Sequence, residues 1–190
     1  MINFPEDPTC AHCSSSFPSS YSQAHLTCAI CSHRYEKVDY TGYMKIHIAT
    51  DHAGLKFKTK LYQYLMNQGH EVVDHGAYEY DAEDDYPQFV IAAAEAVADD
   101  NESLGVVFGG SGNGEQIAAN KVKGIRAALV WNDDTARLAR EHNCANIISI
   151  GARQHSEEEV LRLIDIFLET PFSGDERHVR RIGQIASYEQ

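Results

Sequence analysis

The chain has 190 residues, 43% of them hydrophobic, with a formal net charge of −12 at pH 7. That is enough for one medium domain plus a small attachment, and enough to bury a sizeable core. The acidic balance disfavours nucleic acid and membrane surfaces as general partners, and no apolar run approaches the roughly 18 residues that span a bilayer. Residues Met1–Pro8 have neither the basic nor the apolar region of a secretory signal, so the expected compartment is the cytoplasm.

Residues 1–43 differ from the rest: Ser, Pro, His and Cys are frequent and apolar periodicity is weak. Such a segment buries too little surface to fold by packing alone. Cys10, Cys13, Cys28 and Cys31 form two C-x2-C pairs separated by fourteen residues. In a reducing compartment this spacing predicts a zinc-ribbon-like segment in which four thiolates saturate a structural zinc and leave no open position for catalysis. The nearby His12, His25 and His33 are bystanders on this reading. The side-chain charge of the segment is net negative, unlike a DNA-reading ribbon, so packing on the main domain or on another subunit is the better expectation.

From Met44 the pattern is α/β. Lys45–Ala49 reads as a strand, Leu55–Asn67 as a helix closed by Gly69, and Glu71–Asp74 as a second strand. A long acidic loop, His75–Asp85, leads through Asp85-Tyr86-Pro87 to an alanine-rich buried helix over Phe89–Ala98. Leu104–Phe108 is a third, wholly apolar strand, followed by a glycine-rich turn and a short helix over Glu115–Lys121. Ile125–Val130 and Asn146–Ile150 are further strands. The helix between them, Asp133–His142, is capped by Asn132 or Asp133, and Ser156-x-x-Glu159 is a capping box opening a helix to Glu169. Asp175–Tyr188 closes the chain as a helix. The alternation predicts a Rossmann-like three-layer αβα domain over residues 44–190 with a five-stranded parallel sheet.

The stretch from Val106 to Asn120 carries the chemistry. Gly109, Gly110, Gly112 and Gly114 let the backbone bend tightly at the carboxyl end of a strand, where open α/β sheets bind ligands, and Ser111 adds a hydroxyl. The spacing fits neither a GxxxxGK[ST] phosphate loop nor GxGxxG. Glu115 puts a carboxylate beside oriented N–H donors, which suits abstraction of a proton next to a carbonyl while the donors hold the developing oxyanion. An ordinary strand–helix turn whose glutamate favours the helix dipole is the competing account.

A parallel sheet would bring Asp51, His52, the glycine loop, Asn132, Asp133 and Arg153 to one edge. Singly, Asp51 is explained as a cap, His52 as a surface histidine and Arg153 as a solvated charge; their shared edge argues for a site. The last helix carries Arg177 and Arg181, four apart and therefore on one face, against the global acidic sign. A guanidinium pair of this kind suits phosphate oxygens.

These motifs together resemble the ribose-5-phosphate isomerase B family, which also includes galactose-6-phosphate isomerase subunits. The resemblance rests on Ala49-Thr50-Asp51-His52-Ala53-Gly54, Asp85-Tyr86-Pro87, Gly109 through Glu115, Ala118-Ala119-Asn120-Lys121, Glu141-His142-Asn143, Gly151-Ala152-Arg153 and Arg177 through Arg181, and spans residues 44–190. The first 43 residues lie outside it. It implies aldose–ketose isomerisation of a phosphorylated sugar through a cis-enediolate, with no catalytic cofactor or metal. One branch of the family uses a cysteine just before the glycine loop as base; Gly109 stands there in this chain. The other branch uses a glutamate just after the loop, here Glu115.

Carried over on this resemblance, Glu115 shuttles the proton, and Ser111 with the N–H groups of Gly112, Asn113 and Gly114 stabilises the enediolate. Asp51 and His142 assist ring opening. His52, Arg153, Arg177 and Arg181 bind phosphate, and Gly110, Tyr86 and Asn143 line the pocket. The resemblance also implies a homo-oligomer, dimer or tetramer, whose active sites draw on two subunits. Ribose 5-phosphate is the leading substrate and a phosphorylated hexose or tetrose the alternative. From a different class, a non-catalytic sugar-phosphate sensor would use the ribbon as its partner-binding module. Cys144 is expected to be a small buried residue near a turn, outside the chemistry.

Overall fold

The computed structural model describes residues 42–189. The cysteines at 10, 13, 28 and 31 lie outside the described residues. The elements are β1 (Lys45–Thr50), α1 (Leu55–Asn67), β2 (Glu71–Asp74), α2 (Tyr86–Asp99), β3 (Leu104–Gly109), α3 (Asn113–Ala119), β4 (Ala127–Val130), α4 (Asp133–Asn143), β5 (Ile147–Gly151), α5 (Glu157–Glu169) and α6 (Glu176–Tyr188). The strands form one five-stranded sheet in the order β2-β1-β3-β5-β4, parallel at every pairing. This is the Rossmann-like αβα architecture expected from the alternating pattern.

Strand residues alternate between the two faces of the sheet, and each face builds its own core. Ile46, Ile48, Val106, Phe108, Ile148 and Ile150 pack with Leu61, Leu65, Leu163 and Phe167 of α1 and α5. Ala49, Val107 and Ile147 pack on the other face with Val90, Ala93, Ala94 and Ala118 of α2 and α3. The alanines let α2 and α3 lie close to the sheet and to each other. The central strand β3 is buried throughout, which explains why its sequence shows an unbroken apolar run rather than alternation.

Element boundaries moved where local chemistry outweighed periodicity. Helix α2 starts at Tyr86, three positions before the first apolar-periodic residue, because Pro87 in the first turn has its φ preset for a helix. Helix α3 begins at Asn113, behind Gly112 in the left-handed region (φ 79°). Strand β4 begins at Ala127, because Arg126 is drawn out of the strand: its backbone N–H donates to Asn146 Oδ1 at 2.8 Å and its guanidinium to the Cys144 carbonyl at 2.7 Å. Helix α1 does end as expected at Gly69 (φ 88°). The N–H of Gly69 reaches Met66 O and that of His70 reaches Leu65 O, each at 3.1 Å, the paired bonds of a Schellman stop.

Cys144 requires a correction. It is half-buried rather than buried, and it caps α4 in the left-handed conformation (φ 45°), a position that ordinarily takes glycine or asparagine.

Candidate active site

Strands β1 and β3 are neighbours, but their connections leave in opposite directions, β1 toward β2 and β3 toward β5 and β4. Loops diverging from such a switch point open a crevice at the carboxyl ends of the strands. Asp51 and His52 follow β1, the glycine loop follows β3, and Arg153 follows β5, so the structure brings these residues together on one edge. Thr50 Oγ1 donates to the Phe108 carbonyl at 3.1 Å and ties the ends of β1 and β3.

The glycine loop is braced from beneath. Ala152 N–H donates to Gly109 O at 2.8 Å and Arg153 N–H to Gly110 O at 3.1 Å. Ser149 Oγ donates to Gly112 O at 2.7 Å. A Cβ at Gly112 would lie 2.7 Å from Leu129 Cδ1, and one at Gly114 the same distance from the Tyr86 hydroxyl oxygen, so the loop meets the Leu129 side chain and the Tyr86 ring this closely only because both residues are glycine. Ser111 Oγ accepts from the backbone N–H of Asn113 at 3.3 Å and from its side-chain amide at 3.2 Å.

Glu115 is 4% exposed, and its carboxylate lies over Gly109, so closely that a Cβ on residue 109 would fall within it. The bare α-carbon of Gly109 is what makes room for the acid. Burial raises the Glu115 pKa; its own backbone N–H opposes the rise, and the charge of Asp51 adds to it. The conflict between helix-terminal donors, which weaken a base, and desolvation, which strengthens it, thus resolves in favour of a stronger base.

Asp51 is 8% exposed and accepts the Ala53 N–H at 2.9 Å. His52 Nδ1 lies 2.6 Å from Asp84 Oδ1, which also accepts the His52 backbone N–H at 3.1 Å. The hydrogen bond to Asp84 raises the His52 pKa; Asp51 adds to the rise and Arg153 opposes it. The Arg153 guanidinium carbon rests against Gly110, 3.4 Å from where a Cβ would be. Among the described residues, Asp51, His52 and Asp84 are the group whose donor atoms converge enough to hold a cation, all within 4.8 Å of one another. The His52–Asp84 bond uses one donor atom from each residue on the other, which leaves that group hydrogen-bonded rather than open.

His142, Asn143, Arg177 and Arg181 are not brought to this edge. Helix α4 starts at the carboxyl end of β4 and returns to the amino-terminal edge of the sheet. There the Asn143 carbonyl accepts Arg126 Nε–H at 3.0 Å. The His142 ring stacks on His178 with centroids 4.2 Å apart and planes 13° from parallel, and Arg177 Nε donates to His178 Nε2 at 3.1 Å. His142, Asn143, His178, Arg181 and Ile185 line a cavity of about 490 Å³. A strand as long as β3 spans about 20 Å, so the two groups lie a sheet's height apart within one chain.

Asp84 is the residue that sequence reasoning missed. It stands in a run with Asp81, Glu83 and Asp85, and nothing in that composition distinguishes the one acid whose side chain is only 7% exposed.

Comparison with known proteins agrees with this fold. A ribose/galactose isomerase family model matches residues 46–185. Ribose-5-phosphate isomerase B of Mycolicibacterium paratuberculosis is 52% identical over 147 residues, which cover 77% of this chain and 92% of that protein. Its Mycobacterium tuberculosis counterpart is 53% identical over 147 residues, covering 77% and 91%. The crystal structure of ribose-5-phosphate isomerase B from Mycoplasma genitalium, with bound ribulose-5-phosphate, superposes with a TM-score of 0.74 at 40% identity, covering 78% of this chain and 97% of that one. With the family model spanning most of the chain, and relatives matched over nearly their whole length, this chain belongs to the ribose/galactose isomerase family.

Proposed function

We propose that this protein interconverts ribose 5-phosphate and ribulose 5-phosphate through a cis-enediolate, with Glu115 as the base. One observation carries the reading: a buried carboxylate of raised pKa, seated over a glycine and beside a braced loop of backbone donors. The base takes the C2 proton of the aldose and returns it to C1. Ser111 and the N–H groups of Gly112, Asn113 and Gly114 hold the oxyanion as it forms. Asp51 moves a proton at the sugar oxygens during ring opening. Gly110 and Tyr86 line the pocket, and His52 and Arg153 meet the phosphate. Proton transfer and oxyanion stabilisation both come from protein groups, so the reaction as drawn needs no cofactor.

His142, Asn143, Arg177 and Arg181 enter the same reading through a second copy of the chain. Their place at the opposite sheet edge supports a homo-oligomer in which one subunit's base faces the other's guanidinium groups. We propose Cys10, Cys13, Cys28 and Cys31, which lie outside the described residues, as ligands of a structural zinc with no part in catalysis.

The test is a panel of pentose, hexose and tetrose phosphates assayed with wild type and Glu115→Gln. The reading expects fastest turnover with ribose 5-phosphate and a loss of about 10²–10⁴-fold in kcat for the variant. Preference for a hexose phosphate would reassign the substrate. Near-normal turnover by Glu115→Gln would refute the base. Sugar-phosphate binding without turnover by wild type would favour a sensor.

A further inference from the structure

We propose that Asp84 is the positioning residue for His52: its buried carboxylate clamps both the imidazole Nδ1–H and the backbone N–H of residue 52, which leaves Nε2 as the ring nitrogen offered to the anionic end of the substrate. The inference rests on the reading of His52 as a phosphate contact.

A single oxygen, Oδ1, receives both bonds, at 2.6 Å from Nδ1 and 3.1 Å from the backbone nitrogen. A carboxylate oxygen only accepts, so the ring nitrogen facing it is assigned as the donor, with the hydrogen on Nδ1. The Asp84 side chain is 7% exposed, and its other oxygen is buried with no hydrogen-bond partner. Among the described residues the ion pair that Asp84 makes is with His52. The Tyr80 ring stands edge-on to the imidazole at 5.9 Å and 80°. The groups acting electrostatically on His52 are Asp51 and Asp84, which favour its charged form, and Arg153, which disfavours it. An imidazolium held by a buried carboxylate is a fixed cation, suited to a phosphate dianion. The same short segment starts α2 two residues later and lays Tyr86 on Gly114, so the clamp and one wall of the pocket share a scaffold.

The experiment compares Asp84→Asn, His52→Gln and the double variant for kcat, KM and inhibition by inorganic phosphate across pH 5.5–9, with thermal melting as a folding control. Asp84→Asn keeps the shape and removes the charge. KM and the phosphate inhibition constant should rise about tenfold with kcat within about threefold of wild type, as for loss of an outer partner that orients a binding histidine. The pH at which phosphate affinity declines should move down. The double variant should bind no worse than His52→Gln, because the carboxylate reaches the phosphate only through residue 52. Additive losses in the double variant, or an unchanged KM and pH profile in Asp84→Asn, would overturn the proposal. If His52→Gln itself leaves KM and phosphate inhibition unchanged, it is the phosphate reading of His52 that fails. If Asp84→Asn does not fold, nitrogen-15 NMR of the wild-type imidazoles decides: a protonated Nδ1 in the neutral ring and a pKa above the ordinary histidine value support the clamp, and the other tautomer or a lowered pKa overturns it.

Discussion

Seating the Glu115 carboxylate over Gly109 has opposite effects on activity and folding. Its pKa is raised in the folded protein, so between the ordinary carboxylate value and the raised one the native state binds more protons than the unfolded chain. Stability therefore falls as pH rises through that window, while the population of active base grows. Two outcomes follow. The acid limb of kcat/KM lies above the ordinary glutamate pKa, and Glu115→Gln withstands urea better than wild type at pH 8 while losing turnover; a variant less stable at pH 8 than wild type would contradict the burial argument. Gly109→Ala supplies the sterically opposite test. The added methyl needs the space the carboxylate occupies, so kcat should drop by at least about tenfold while circular dichroism stays native, at an overpacking cost of about 1–3 kcal/mol. Unchanged kcat in Gly109→Ala would mean that the acid does not work from this position.

At the scale of elements, two departures from ordinary strand and cap chemistry make measurable predictions. His47 on β1 is 4% exposed, hydrogen-bonded to His75 at 2.8 Å, and its pKa is pushed down to about 4, first by burial and then by His75. A histidine held neutral in this way contributes stability above its unfolded pKa and loses it as pH falls through the folded value, so unfolding free energy should decline by on the order of 3 kcal/mol between pH 7 and pH 4. His47→Gln should flatten that slope in urea titrations; an unaltered slope would assign the loss to other groups. Cys144→Gly should raise stability by about 1 kcal/mol, because the left-handed cap strains any residue with a β-carbon. A lower melting temperature for Cys144→Gly would show that the thiol's contacts outweigh the strain. The same two positions mark where sequence reading succeeds and where it stops. Apolar runs, the Ser156–Glu159 capping box and Gly69 located the strands and helices, because those signals are local. The cap at Cys144 has no glycine or asparagine to signal it, and the pairing of His47 with His75 depends on a tertiary neighbour that no local pattern encodes.

For the whole molecule, the parallel sheet explains why half of the proposed site was legible in order along the chain. Asp51, Gly109 through Glu115 and Arg153 follow successive strand ends, so topology gathers them on one edge. His142, Asn143, Arg177 and Arg181 follow a helix end and lie on a later helix, and the fold sends them to the other edge. The proposed sharing of the active site between copies makes a complementation prediction. Glu115→Gln and Arg177→Ala should each be nearly inactive, yet random mixed dimers should recover about a quarter of wild-type activity, since one of the two sites in each heterodimer is intact. No recovery on mixing would confine the site to one subunit.

The central claim is that Glu115 removes the carbon-bound proton. It is tested most directly by incubating 2-deuterated ribose 5-phosphate with each protein in ordinary water and following the C2 deuterium and the C1 protons by NMR. Wild type should wash deuterium out to solvent or pass it to C1, whereas folded Glu115→Gln should bind the sugar phosphate and leave the C2 deuterium in place. Deuterium loss at the wild-type rate in Glu115→Gln would show that another group is the base.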